Sequence, residues 1–184
     1  RLHGDSGLDW TLDYGWLNQH CGTDEDAHRQ YLNDWATGQF LGSNSRGELC
    51  QEGKVCGTTA SLCGVEAADY EQNDTKVDQA VACDLLLHAF LLTQSGLPLL
   101  TCGDEVGQLN DYSYHEDPAR SGDARNLQHG PFQWELAAMR GDGETRQGKQ
   151  FQGLRRLEEL RVAEPAFDAR ANVWTFDTGN PHVL

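Results

Sequence analysis

One continuous passage limits what this chain can fold into more than any other. Residues 75–105 read TKVDQAVACDLLLHAFLLTQSGLPLLTCGDE. Val77, Ala80, Val81, Leu85, His88 and Leu92 recur at helical spacing, and the second half is apolar nearly all round. The pattern predicts a well-buried helix, capped by Asp74 or Thr75 and ended by Gly96. Leu97–Thr101 then reads as a short buried strand, with no linker before it. A buried helix feeding directly into a buried strand is the α-to-β step of an α/β fold, whose parallel strands need cover on both faces. Asp104 and Glu105 close the apolar run abruptly. By themselves they read in two ways: a solvated turn at a strand end, or acids at the active rim of a barrel.

The remaining chain supplies fewer anchors. Residues 1–24 look irregular. From Asp24, the run DEDAHRQYLNDWATGQF reads as a helix with acids in its first turn and Tyr31, Leu32 and Trp35 on one face. Residues 41–58 are rich in Gly and Cys and read as a long loop. The polar stretch VGQLNDYSYHEDPARSGDARNLQHGPFQW after Glu105 is too long for an ordinary connection, and loops of that size tend to be functional. GKQFQGLRRLEELRVAEP reads as a second helix, stopped by Pro165, with Phe151, Leu154, Leu157, Leu160 and Val162 toward the core. ANVWTFDTGNPHVL reads as a β-hairpin with an incomplete second arm. The expectation is a piece of a longer protein.

Charge and motif content exclude several classes of function. The 184 residues carry 29 acids against 14 Lys plus Arg, a net charge of −15. Such a surface repels phosphate backbones and anionic lipids, so neither nucleic acid nor a membrane is an expected partner. No apolar run is long enough to span a bilayer. The six cysteines form no CxxC pair and have no companion histidines at zinc-ligand spacing, so no metal is expected. Cys83 and Cys102 read as buried free thiols; a pairing of Cys50 with Cys56 or Cys63 is the alternative reading. No nucleotide, zincin or serine-hydrolase motif is present, and no cofactor is implied.

Read one by one, the polar clusters have ordinary explanations. His3 and Asp5 make a hydrogen-bonded pair, Arg29 sits on a helix surface, and Asp123 with Arg125 forms an intraloop ion pair of little energetic weight. The Tyr and Trp residues between 112 and 134 pack within their loop.

Their order, however, carries a resemblance. Gly96 to Pro98, Gly103-Asp104-Glu105, Asn110-Asp111 and Asp123-Ala124-Arg125 resemble the last-strand region of the amylase-type glycoside hydrolases, family 13, and within them the amylosucrases. AHRQYLNDW resembles that family's His-Arg-Gln-aromatic-Leu-Asn helix, and KVCGTTASLCGVE its Arg-Val-Ser-Gly-Thr-Ala stretch. FQGLRRLEELRVAEPAFDA resembles the final barrel helix, and VWTFDTGNPHVL the opening of the C-terminal β domain. The resemblance implies an α/β fold, the C-terminal part of a (β/α)8 barrel, in residues 1–168. Residues 169–184 would begin an all-β domain. Residues 97–101 would be strand eight, with Arg1 at the exit of strand seven.

The implied chemistry is retaining glucosyl transfer from sucrose to an α-glucan or to water. The family's nucleophile and general acid stand on strands four and five, so this chain alone is expected to be inactive. Sucrose phosphorylase, α-glucosidase and a non-catalytic carbohydrate-binding relative are the alternatives. The family's strand-seven motif, Arg-x-His-Asp-Asp-Ile-Gly-Trp, is matched here by RLHGDSGLDW. Gly4 replaces the first Asp, and two extra residues precede Trp10. Either Asp5 takes the transition-state-stabilising role from a displaced position, or that role is lost. By the same resemblance His3, Arg29, Lys54 and Arg125 bind sugar, and Asp104 and Glu105 support the strand end. Lys54 stands where the family has Arg, a change from a bidentate fork to a point charge. Gly130 likewise replaces an Arg.

Overall fold

The computed structural model describes residues 12–50, 53–174 and 178–180. His3, Gly4 and Asp5, and the second arm of the expected hairpin, lie outside the described residues. In chain order the elements are α1 (Tyr14–Cys21), α2 (Glu25–Ala36), β1 (Glu48–Leu49), β2 (Val55–Cys56), α3 (Thr59–Leu62) and α4 (Val65–Tyr70). They continue with α5 (Asp74–Thr93), α6 (Trp134–Ala138) and α7 (Arg146–Ala163). Short 3-10 turns, among them Asp104–Val106, Tyr112–Glu116 and Ala124–Leu127, punctuate the long loop between α5 and α6.

The scaffold is the pairing of α5 with α7, with α4 also packed on α5. Side-chain caps start the helices. Asn73 accepts from the backbone N–H of Lys76, Thr145 from that of Gly148, and Asp24 from that of Ala27. Asn73 therefore caps α5, one residue before the expected position. At the other end of α5, the Arg161 guanidinium donates to the carbonyls of Leu92, Gln94 and Gly96. One cation thus satisfies acceptors that a helix C-terminus leaves open and opposes its negative dipole. Two glycines let α7 approach its neighbours. A Cβ at Gly153 would meet Leu85 Cδ1 at 2.4 Å, and one at Gly148 would meet the Asp142 carbonyl oxygen at 1.8 Å. Ala60, Val65, Ala80 and Val81 form the core between α3, α4 and α5.

Several expectations need correction. Residues 14–21 form a helix, because Asp13 caps it at Trp16 and Gly22, in the left-handed region at φ 65°, ends it. Within the 41–58 loop, β1 and β2 pair antiparallel, Glu48 opposite Cys56 and Leu49 opposite Val55. The described residues are mostly helical, and this ribbon is their whole sheet content, which is compatible with an α/β fragment. Leu97–Thr101 joins no ladder. Leu97 is 84% and Leu99 85% exposed. The apolar second half of α5 is likewise uncovered on one side, at Leu86, Leu87 and Phe90, the last 57% exposed. On α7, Leu154 is buried while Leu160 and Val162 are exposed. All six cysteines are free thiols, but Cys83 and Cys102 are exposed rather than buried. Among the described residues no helix is long and apolar enough to cross a membrane.

Gly148 gives a direct test of the α7 packing. Gly148→Ala is expected to lower stability by about 1–3 kcal/mol, the usual cost of overpacking against backbone that cannot swing away. Gly122, which a Cβ would leave in open space, serves as the control. Urea unfolding of both variants should separate them.

Candidate functional site

The turn that follows residue 101 is built from its own acids. Gly103, at φ 105°, reverses the chain in a conformation that L side chains rarely adopt. Asp104 Oδ2 accepts from the backbone N–H of Thr101 at 3.0 Å, and Glu105 Oε2 from that of Gly103 at 2.8 Å. Both acids therefore fold back onto the turn instead of projecting into solvent.

Beneath this turn lies a buried charge cluster supplied by α5 and α7. Asp84 and His88 stand one helical turn apart, 1% and 4% exposed. His88 Nδ1 lies 2.7 Å from Asp84 Oδ1, and its Nε2 lies 3.5 Å from Asp104 Oδ2. Gln150, on α7, donates from Nε2 to Asp84 Oδ1 at 2.6 Å and to the Asp104 carbonyl at 3.2 Å. Asp84 Oδ2 is buried with no hydrogen-bond partner among the described residues. Burial by itself pulls the imidazole toward neutrality. The hydrogen bonds and charges of Asp104 and Asp84 outweigh it and push His88 up to about 10. An imidazolium thus bridges the two carboxylates and fixes the Gly103 turn to the helix before it.

Beside the turn is a small cleft, lined by Thr58, Thr101, Cys102, Asp104, Gln108 and Gln128. Its walls are tied together by side-chain amides. Asn110 Oδ1 accepts from the Thr58 N–H at 2.8 Å, while its Nδ2 donates to the Arg46 carbonyl and to Tyr112 Oη. Gln128 Oε1 accepts from the Gly57 N–H, and Gln108 bridges the carbonyl of Pro131 and the N–H of Gln133. Ser61 donates to Glu66 Oε2, and Tyr112 to Glu66 Oε1. Tyr112 is pushed up to about 12 by burial and by Glu66. Tyr114, buried, donates to Glu48 Oε2, and His115 Nε2 lies 3.0 Å from Glu48 Oε1.

Of the described residues singled out in the sequence, Asp104 lines this cleft, while Arg29, Lys54, Glu105 and Arg125 lie outside its lining. Arg125 forks onto Asp123, with its amide and guanidinium holding that carboxyl down at about 2. This is the intraloop pair expected. Arg29 pairs with Glu25 at 2.9 Å and lies over the Tyr14 ring. Lys54 sits at the start of the return strand of the ribbon, where its carbonyl accepts from the Cys50 N–H. Asp104 faces the cleft, while Arg29 lies on α2, away from its lining. Gly130 packs against Asp111, whose Cβ would stand 2.5 Å from a Cβ added there.

The His88 cluster was the main omission of the sequence reading, which placed His88 only as one of the core-facing positions of the helix. The available signal was an Asp four residues before a His on an apolar helix that runs into Gly-Asp-Glu. A buried imidazole in such a helix needs hydrogen-bond partners, and an acid one turn away is a ready one. Among the described residues no group of three or more His, Cys, Asp or Glu side chains is placed to hold a metal ion. Compared with models of known protein families, the chain matches none.

The cluster makes two linked predictions. His88→Ala leaves two carboxylates without their cation and should cost about 3–5 kcal/mol. The folded-state value lies above the ordinary histidine value, so the stabilisation is complete below roughly pH 6.5 and fades as pH rises through about 10. Urea midpoints of the wild type should therefore fall across that window, while those of the variant should lack this component.

Proposed function

We propose that this chain forms part of the catalytic barrel of an amylase-type glycoside hydrolase, similar to the amylosucrases, that transfers glucosyl from sucrose to an α-glucan or to water. The observation that carries this reading is the unit from α5 through residues 97–105. A long apolar helix runs directly into an extended segment and then a Gly-Asp-Glu turn, with Leu97, Leu99 and one side of α5 left uncovered. Those surfaces suit a final α/β unit flanked by further barrel strands and helices. Arg125 lies in the long loop after the turn and matches an arginine that closes the family's pocket by pairing with an upstream aspartate.

In this reading the nucleophile and general acid stand on two other strands, and this chain contributes support and binding. Asp104 and Glu105 hold the strand-eight end. By the resemblance, His3, Arg29, Lys54 and Arg125 bind sugar, and Asp5 takes the transition-state-stabilising role from its displaced position. A second reading, a non-catalytic carbohydrate-binding relative, draws on Gly130. The tight approach of Asp111 there leaves no room for the arginine that the family carries.

Sucrose assays distinguish these readings. The longer protein that contains this chain should release fructose from sucrose, and the 184 residues alone should release none. Turnover by the chain alone would contradict the proposal. Retained α-glucan binding without turnover by the longer protein would favour the second reading.

A further inference from the structure

We propose that the corner between α4 and α5 is a glycan acceptor site, at which Asn73 takes an oligosaccharide from a lipid-linked sugar pyrophosphate. Residues 71–75 read EQNDT, and Asn73 is the one asparagine of the chain followed two residues on by Ser or Thr. With no proline between, that is the acceptor pattern for N-linked glycans. Glu71 extends it. The bacterial type of oligosaccharyltransferase also requires an acid two residues before the asparagine, which it pairs with a cation of its own. The inference stands independently of the glucosyl-transfer reading.

The fold presents this stretch to solvent. All five residues are exposed, and Tyr70 just before them is 91% exposed. α4 ends here in a reversal, in which the N–H of Gln72 donates to the Asp69 carbonyl and that of Asn73 to the Ala68 carbonyl. Gln72 stands at φ 54°, among the described residues the sole non-glycine in the left-handed region. Such a reversal usually carries Gly. With Gln it holds strain, which is released when a transferase straightens the corner. Asn73 then starts α5. Its side-chain oxygen accepts from the Lys76 N–H at 3.1 Å, so the amide nitrogen Nδ2 is the atom left uncommitted. Cap and acceptor are different atoms, and a glycosylated amide keeps the cap. Glu71 pairs with Lys76 at 2.6 Å, a solvent-open ion pair that an enzyme's cation displaces at little cost. In transfer, Nδ2 bonds to the anomeric carbon of the first sugar, and the bond from that carbon to the pyrophosphate oxygen breaks. The lipid pyrophosphate leaves with the electron pair, and Nδ2 gives up one proton to a base of the transferase. Nothing is oxidised or reduced.

Transfer to the purified, folded chain tests this. The reaction holds a single-subunit bacterial oligosaccharyltransferase, its polyprenyl-pyrophosphate oligosaccharide and a standard acceptor peptide in the same tube. Intact mass and peptide mapping should show one glycan, on Asn73. Asn73→Asp keeps the helix cap but lacks the amide nitrogen, so transfer should be lost. Thr75→Val should lose it too. Glu71→Gln and Lys76→Gln break the same ion pair, yet only the first should lose most of the transfer. Wild-type chain left unmodified while the peptide is glycosylated would overturn the proposal. So would a glycan on the Asn73→Asp variant, or equal transfer to the Glu71→Gln and Lys76→Gln variants.

Discussion

The arrangement of this chain depends on one buried charge. His88 lies between Asp84 on its own helix and Asp104 in the turn that follows, and Gln150 reaches across from α7 to both. Removing any one member leaves the others short of a partner in a place where water is excluded. The cluster joins three parts of the fold: the main helix, the Gly103 turn and the last long helix. Its energetic role is less to add stability than to specify one arrangement. Replacing such a group with apolar side chains often costs little, whereas breaking it costs much. The orphaned oxygen of Asp84 sharpens the point, since the imidazolium is the charge that makes it tolerable.

From this anchor the candidate site follows outward. The turn is held by Asp104 and Glu105 through backbone N–H groups, so these acids are spent on geometry. The cleft beside it is then framed by amides, with Asn110 and Gln128 linking the 57–58 backbone to the long loop. The glucosyl-transfer reading adds the catalytic carboxylates from other strands, and it assigns the exposed leucines of residues 97 and 99 to a sheet with neighbours.

Much of the helical scaffold was legible from sequence because its signals are local. α2, α5 and α7 each begin at a capping side chain. The α1 helix was missed because its cap, Asp13, introduces only eight residues with few apolar positions. The two-residue strands of the ribbon fall below any periodic signal. Leu97–Thr101 reads as a strand from composition, but pairing is a property of neighbours that the described residues do not supply. Of the site, the Gly-Asp-Glu turn and the Asp123–Arg125 pair were visible in order and spacing. The bridging role of His88 was not, because it depends on a contact between residues 88 and 104 that only the folded turn creates.

The central claim is that His88 is an imidazolium at neutral pH, held by two carboxylates. Its ring nitrogens can be followed directly by long-range proton–nitrogen NMR through a pH titration of the wild-type chain. The structure predicts both nitrogens protonated at pH 7, with titration near 10. A neutral ring at pH 7, titrating near the ordinary histidine value of about 6.5, would contradict it.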